Sequence, residues 1–166
     1  MLLLRSLAAA ALLPGTVTIF IPWLILRRSD ATATHWSGLV LLALGAIVLV
    51  SCIRDFAVAG RGTLAPLDPP KCLVASGLYR YVRNPMYVGV VLILAGEAWV
   101  FWSGALLLYA AAFFLVASLF IVFYEEPALQ RTFGESYGDY LRTVPRWVPR
   151  FPVRENGRRR PLRRRP

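Results

Sequence analysis

Residues 86–124 form the stretch that decides the fold, MYVGVVLILAGEAWVFWSGALLLYAAAFFLVASLFIVFY. Met86–Trp102 contains one charged residue, and Gly104–Tyr124 contains none. A helix that crosses a bilayer needs about 20 apolar residues, so each half approaches the length of a membrane span. The turn at Ser103 and Gly104 leaves no room for a loop. The sequence therefore predicts two antiparallel helices joined as a tight hairpin.

Two further apolar segments precede this hairpin. Leu7–Leu26 is 20 residues long and Trp36–Ile53 is 18, and neither contains a charge. Because lipid cannot satisfy backbone hydrogen-bonding groups, an open chain crosses it as helices. We therefore predict an all-α, polytopic membrane protein with about four transmembrane helices. The alternative for the first segment is a cleaved signal peptide, since Arg5 precedes its apolar run.

The composition of the whole chain agrees with a membrane protein. Of its 166 residues, 57% are hydrophobic and 17% are charged, whereas soluble domains average about 45–50% apolar and about 25% charged residues. Such hydrophobicity also argues against a disordered chain. Two cysteines and a single histidine, His35, supply neither a disulfide framework nor a cysteine-based zinc site. We predict no metal centre.

The net charge of +10 is unevenly distributed along the chain. Residues 154–166 hold seven arginines and one glutamate. Because this basic excess is a tail on an apolar body, we expect it to contact anionic lipid rather than nucleic acid. The low-complexity composition predicts that residues 151–166 are disordered.

The basic residues also predict the orientation of the spans. No Lys or Arg lies between Arg83 and Arg131, so the turn of the hairpin is expected to face outward. The arginine-bearing segments on either side of the hairpin are then cytoplasmic, as are both termini, with Arg27 and Arg28 as a minor exception. Arginine in place of lysine, with much Ala, Gly and Pro, indicates a GC-rich bacterial genome and hence the inner membrane.

Three regions follow from these patterns. Residues 1–58 carry the two N-terminal transmembrane helices, residues 59–150 carry a loop, the hairpin and a C-terminal helix, and the tail completes the chain. The Gly and Pro residues within 59–78 predict a structured loop or a lid. Apolar residues at helical spacing predict a short amphipathic cytosolic helix over 127–142.

Two polar clusters flank the open end of the hairpin. YRYVRNPMYVG at 79–89 leads into the third span, and YEEP at 124–127 follows the fourth. Because the two helices are antiparallel, Arg83 can approach Glu125 or Glu126. Cations, carboxylates, an amide and phenols then converge, and such a set can hold a zwitterion. The structural alternative is ordinary interfacial anchors and carboxylates that favour a helix N-terminus.

These motifs are similar to those of the isoprenylcysteine carboxyl methyltransferase and phospholipid N-methyltransferase superfamily, which are integral membrane enzymes that use S-adenosylmethionine. GRGTLAPLDPP at 60–70, SGLYRYVRNPMYVG at 76–89 and YEEPALQRTFGESYGDYLRTVPRWVPR at 124–150 carry the resemblance. The superfamily signature is an Arg-His-Pro or Arg-Asn-Pro motif, a Glu-Glu pair, an aromatic helix and a Val-Pro. All of these parts occur here in order.

The resemblance implies a methyl-donor site near the cytoplasmic end of the hairpin. The matching residues are Arg83, Asn84, Pro85, Tyr87, Glu125, Glu126, Tyr137, Tyr140 and Arg146. Arg83, Glu125 and Glu126 are the implied catalytic residues. A glutamate can bind the ammonium of the donor and Arg83 its carboxylate, and a tyrosine can offer its π face to the sulfonium. Many members have His where this chain has Asn84, and an amide cannot act as a base.

The expected acceptor is lipophilic or membrane-delivered and enters from the bilayer. Methylation of a carboxylate needs no base, whereas methylation of an amine would use Glu125 or Glu126 as the base. Glu97 lies about 21 Å along the helix from Arg83, too far to join the donor site; it either snorkels, pairs with another span or meets the acceptor. Two other classes of function stay open: a non-catalytic helical membrane module and a NADPH-dependent sterol-type reductase.

Overall fold

The computed structural model describes residues 14–29, 31–55, 73 and 75–149. Throughout these ranges the regular secondary structure is helical and contains no strand, as predicted. The helices are α1 (Thr16–Leu26), α2 (Leu39–Asp55), α3 (Pro85–Val100), α4 (Gly104–Phe120), α5 (Glu126–Phe133) and α6 (Glu135–Thr143).

Two of the helices are long and apolar enough to cross a membrane. With its leading 3₁₀ turn, α2 extends over Trp36–Asp55, and α4 continues through a π turn into α5 as a 30-residue helix, Gly104–Phe133. Only 17% and 22% of their most apolar windows are buried within the protein. The core helix of a soluble protein buries its large apolar side chains, so these exposed apolar faces suit a lipid environment.

The other two predicted spans correspond to shorter helices. α3 has 16 residues, which is about 24 Å at 1.5 Å per residue. α1 covers the second half of the predicted first span, and residues 7–13 lie outside the described residues. Four spans therefore stay a prediction. Most of the predicted loop at 59–78 and the whole tail at 151–166 also lie outside the described residues.

α2 and α3 approach each other through two pairs of glycines. A Cβ atom on Gly45 would lie 2.6 Å from the carbonyl oxygen of Gly89, and one on Gly38 would lie 2.8 Å from the carbonyl oxygen of Gly96. The two backbones are therefore in direct contact, which small residues permit in membrane helix pairs. These glycines therefore act in helix packing. α3 also packs on α4, so it lies between two partners.

The turn of the hairpin is as short as predicted. Ser103 caps α4 by accepting a hydrogen bond from the backbone N–H of Leu106. Trp102 has φ of 45°, a left-handed conformation that glycine usually takes after a helix. The backbone N–H groups of Thr34 and His35 both donate to the carbonyl oxygen of Val100. These bonds attach the segment before α2 to the turn.

The single helix predicted over 127–142 is instead two helices, α5 and α6. Gly134, with φ of 55°, separates them. This conformation breaks the helix, and buried Tyr137 and Tyr140 of α6 share one apolar cluster with Leu129 and Phe133 of α5. The predicted apolar periodicity is present, but the break at Gly134 interrupts the helix.

Candidate functional site

Three charged side chains from separate parts of the chain meet at the open end of the hairpin. Arg83, which precedes α3, donates from Nη1 to Oε1 of Glu126 at 2.9 Å. Arg146, which follows α6, donates from Nε to Oε1 and from Nη2 to Oε2 of the same carboxylate, each at 2.9 Å. We call these three residues the charged cluster. Two guanidinium groups share one carboxylate, so the cluster has a net charge of +1.

The charged cluster is largely shielded from solvent. The side chains of Arg83 and Glu126 are 13% and 15% exposed, and that of Arg146 is 36% exposed. Hydrogen bonding to Glu126 raises the pKa of Arg146 above its ordinary value, so Arg146 stays charged. Shielded charges interact more strongly than charges in water. The cluster can therefore orient a charged ligand.

Glu125 has a different partner from Glu126. The hydroxyl of Tyr87, on the first turn of α3, donates to Oε2 of Glu125 at 3.1 Å. Adjacent residues of a helix project about 100° apart, so the two carboxylates cannot face the same way. Within the described ranges, Glu125 forms no ion pair. Of the two carboxylates at this site, Glu125 is the one without a cationic partner among the described residues.

A π turn decides which carboxylate meets the arginines. The buried residues of α4 include Ala117 and Ile121, whose spacing is that of one face of a regular helix. The next position in that series would be Glu125. In the π turn, however, the backbone N–H of Glu126 bonds to the carbonyl oxygen of Ile121. The wider turn therefore moves Glu126 into phase with the buried face.

Backbone hydrogen bonds connect the start of α3 to the chain after α6. The N–H of Arg83 donates to the carbonyl oxygen of Pro145 at 2.9 Å. The buried amide Nδ2 of Asn84 donates to the carbonyl oxygen of Arg146 at 3.3 Å. Pro85 occupies the first helical position of α3, where its missing N–H has no cost. Asn84 thus acts as a donor to backbone, a task that needs no base.

The two predicted tyrosines of α6 have different surroundings. Tyr137 is 3% exposed, and burial, reinforced by the nearby charge of Glu126, raises the pKa of Tyr137 to about 12. Tyr140 donates from its hydroxyl to the carbonyl oxygen of Tyr79 at 2.6 Å, and burial raises the pKa of Tyr140 as well. Both phenols are therefore protonated at neutral pH.

One buried hydrogen-bond donor of the charged cluster is unpaired. The Nε atom of Arg83 is buried and has no hydrogen-bond partner among the described residues. Buried polar groups are nearly always paired, and a ligand carboxylate is one group that could accept from this N–H.

The family model for phospholipid methyltransferases matches residues 33–136. This match spans more than half of the chain. The chain belongs to the phospholipid methyltransferase family. The resemblance predicted from the sequence is confirmed, and the family indicates a membrane methyltransferase. No curated protein and no solved structure matches the chain at a significant level.

The family match divides the predicted site. It includes α2, α3, α4 and the pair Glu125 and Glu126. Tyr137, Tyr140 and Arg146 follow its last residue, yet Arg146 bonds to Glu126 directly. In this methyltransferase the segment beyond the family match therefore completes the charged cluster.

Three further residues of this methyltransferase have surroundings that the sequence did not predict. Sequence reasoning missed Tyr79, because its contribution is a backbone carbonyl and no residue pattern signals that. It also assigned no role to Asp55, which is buried beside Gly77. Glu97 has a buried Oε2 atom without a hydrogen-bond partner in the described part of the chain. It makes no contact with the charged cluster.

Proposed function

We propose that this membrane methyltransferase takes its methyl group from S-adenosylmethionine, which binds at the charged cluster, and transfers it to a lipid amine. The observation that carries the proposal is the convergence of Arg83 and Arg146 on Glu126, with the Nε atom of Arg83 left unpaired. This arrangement supplies excess positive charge and an unpaired hydrogen-bond donor at one shielded position.

The residues present fit the chemical groups of S-adenosylmethionine. The net positive charge of the cluster favours a carboxylate, which Arg83 can bind through Nε. Glu125, which has only the Tyr87 hydroxyl as partner in the described chain, is left for the amine of the acceptor. The ring of Tyr137 beside the cluster can offer a π face to the sulfonium. We therefore assign the contacts with the donor to Arg83, Arg146 and Tyr137.

When bound, S-adenosylmethionine supplies an electrophilic methyl group. The residues contribute alignment and the exclusion of water, which provide most of the acceleration in a displacement of this kind. Glu126 holds the two arginines in place rather than reacting. Tyr137 stays protonated at neutral pH and does not compete as an acceptor of the methyl group.

Glu125 favours an amine as the acceptor. An amine must lose its proton before or during transfer, and Glu125 can accept that proton. A carboxylate acceptor would face repulsion from Glu125, which lacks a cationic partner among the described residues. The family description, phospholipid methyltransferase, agrees with an amine on a lipid headgroup. Methylation of a lipophilic carboxylate is the second candidate, because it would need no base.

We also propose four spans with the charged cluster on the cytoplasmic side of a bacterial inner membrane. The distribution of arginines supports this orientation, since none lies between Arg83 and Arg131. A Ser103→Cys variant should react with an impermeant thiol reagent from outside intact cells, while the parent chain should not. Labelling of that variant only after the cells are opened would reverse the topology.

The arginine-rich tail is proposed to bind anionic lipid. Deletion of Arg158–Pro166 should weaken binding to vesicles that contain anionic lipid, because each basic residue near such a surface contributes about 1 kcal/mol. Donor affinity should stay intact in that variant. A loss of donor affinity would place the tail in the site instead.

Binding calorimetry in detergent tests the donor. The intact protein should bind S-adenosylmethionine or its demethylated product, and Arg83→Ala or Glu126→Ala should weaken binding at least tenfold, about 1.4 kcal/mol. Arg142→Ala is the matched control, because Arg142 forms an exposed pair with Asp139. A non-catalytic module would bind neither compound, and a reductase would bind NADPH instead.

Lipid mass spectrometry tests the acceptor. Cells that contain the protein should accumulate a lipid with an N-methylated headgroup that is absent from cells without it. A Glu125→Gln variant should lose this product while it retains donor binding, since it keeps the size of the side chain and removes the base. A product methylated on a carboxylate would overturn the amine assignment.

A further inference from the structure

We propose that Asp55, Gly77, Tyr79 and Tyr140 form a clasp that positions Arg83, and that Tyr140 acts through the backbone rather than by touching the methyl donor. The clasp holds the segment before α3 between the end of α2 and the start of the C-terminal strap, residues 144–149. The part of the proposal that concerns donor affinity rests on the function proposed above.

The first side of the clasp is the end of α2. Asp55 is 9% exposed, and a Cβ atom on Gly77 would lie 1.9 Å from its Oδ2 atom. Gly77 also has φ of 58°, which a side chain makes unfavourable. The turn Gly77–Arg80 can therefore lie against the carboxylate only because residue 77 is glycine. Tyr79, in the same turn, packs on the fully buried Cys52.

The second side of the clasp is α6 and the strap. Tyr140 donates to the carbonyl oxygen of Tyr79 at 2.6 Å, and both residues are buried. Four residues later, the N–H of Arg83 donates to the carbonyl oxygen of Pro145. Two hydrogen bonds thus fix the backbone of the segment 79–83, one at each end. Because a guanidinium group lies at the end of a long side chain, the position of this backbone decides where it can reach.

The position of Tyr140 explains why it differs from Tyr137. Its hydroxyl is engaged by the carbonyl oxygen of Tyr79. Tyr137, by contrast, lies within electrostatic range of Arg83, Glu125 and Glu126. The clasp therefore makes Tyr140 a positioning residue of this site.

Hydrogen exchange tests the clasp without reference to activity. Tyr140→Phe retains the ring and removes the hydrogen bond, so the backbone N–H of Arg83 should exchange at least tenfold faster than in the parent protein. Amides within α4 should keep their protection. Tyr124→Phe is the matched control, since Tyr124 is 65% exposed, and it should change neither rate. Gly77→Ala should accelerate the same Arg83 amide from the α2 side.

A double-mutant cycle tests how Tyr140 affects the donor. Tyr140→Phe and Arg83→Lys should each weaken the binding of S-adenosylhomocysteine about three- to tenfold. Because both act through the same guanidinium group, the double variant should be little worse than Arg83→Lys alone. Losses that multiply would show that Tyr140 touches the donor directly and would overturn its positioning role.

The two experiments separate failure of the clasp from failure of the proposed function. An unchanged exchange rate at Arg83 in both Tyr140→Phe and Gly77→Ala would overturn the clasp, whatever the protein binds. If the parent protein bound no donor compound, the proposed function would fail, and the exchange measurement would still decide whether the clasp exists.

Discussion

The two ends of the helical hairpin are both held by hydrogen bonds, yet their chemistry is opposite. At the open end, Glu126 is 15% exposed and accepts three bonds from two arginines. At the turn end, Trp102 is 64% exposed, and its ring contacts that of His35 in a tilted arrangement with centroids 4.6 Å apart. Trp99 completes this aromatic group and bonds through Nε1 to the hydroxyl of Ser37.

On the proposed function, the hairpin separates ligand binding from anchoring. Shielded charges must be paired with each other or with a ligand, because unpaired buried charges are costly. Aromatic rings with a polar edge are stable while half exposed at a membrane interface. A ligand with separated charges can therefore bind at the open end, whereas the turn end suits contact with the lipid headgroups. Four predictions test this contrast.

The largest effect is expected at the charged cluster. Glu126→Gln leaves Arg83 and Arg146 without their shared carboxylate, so thermal unfolding in detergent should show a loss of about 2–3 kcal/mol. The lower part of the usual range applies because Arg146 is partly exposed. Asp139→Asn breaks an exposed pair with Arg142 and should cost less than about 1 kcal/mol. Equal losses in both variants would contradict the importance of shielding.

The next largest loss of stability is expected where α2 packs against α3. Gly45→Ala inserts a methyl group against the carbonyl oxygen of Gly89, so α2 must move away from α3 at a cost of about 1–3 kcal/mol. Gly104→Ala is the control, because no atom of the described residues lies within 4 Å of a Cβ at that position. Denaturant unfolding of the two variants measures the difference. A neutral Gly45→Ala would mean that the helices are less closely packed.

A pH effect on stability is expected from Tyr137 at the open end. The pKa of Tyr137 is raised to about 12, so the folded protein favours the protonated phenol more than the unfolded chain does. This contribution to stability is complete below pH 10 and is lost as the pH rises toward 12. The parent protein should therefore lose more thermal stability than Tyr137→Phe between pH 9.5 and 11.5, relative to pH 8. Parallel curves would show that Tyr137 is not shielded.

The smallest effect is expected at the turn end. Trp102→Gly relieves a left-handed conformation that costs roughly 1 kcal/mol and removes aromatic contacts of about the same value. The net change in unfolding free energy should be within about 1 kcal/mol, by the sum of these opposite effects. Calorimetry should find an unchanged donor affinity. A change of more than threefold would show that the two ends are coupled.

Much of the fold could be predicted from hydropathy. The uncharged runs around Ser103 and before Arg54 define α4, the hairpin turn and α2, because lipid-facing helices must be apolar on most sides. The break at Gly134 could not be predicted in the same way. Apolar spacing continues through it, and only the left-handed conformation of Gly134 shows that the helix is interrupted there.

The sequence predicted which residues belong to the candidate site better than it predicted which of them bond to each other. Antiparallel helices bring Arg83 to the Glu-Glu pair, which follows from the short turn. The choice of Glu126 over Glu125 depends on one backbone bond, from the N–H of Glu126 to Ile121, and side-chain chemistry does not encode it. The role of Tyr79 is hidden for a similar reason, since any residue has a carbonyl oxygen.

The π turn at Ile121–Glu125 has a consequence for changes in chain length. It absorbs one residue more than a regular helix needs between α4 and α5. A deletion of one residue within 122–124 would convert it to a regular turn and leave the Glu126 carboxylate on the same side of the helix. An added residue cannot be absorbed in this way, and it would turn Glu126 away from Arg83. This membrane helix should therefore tolerate shortening by one residue better than lengthening by one.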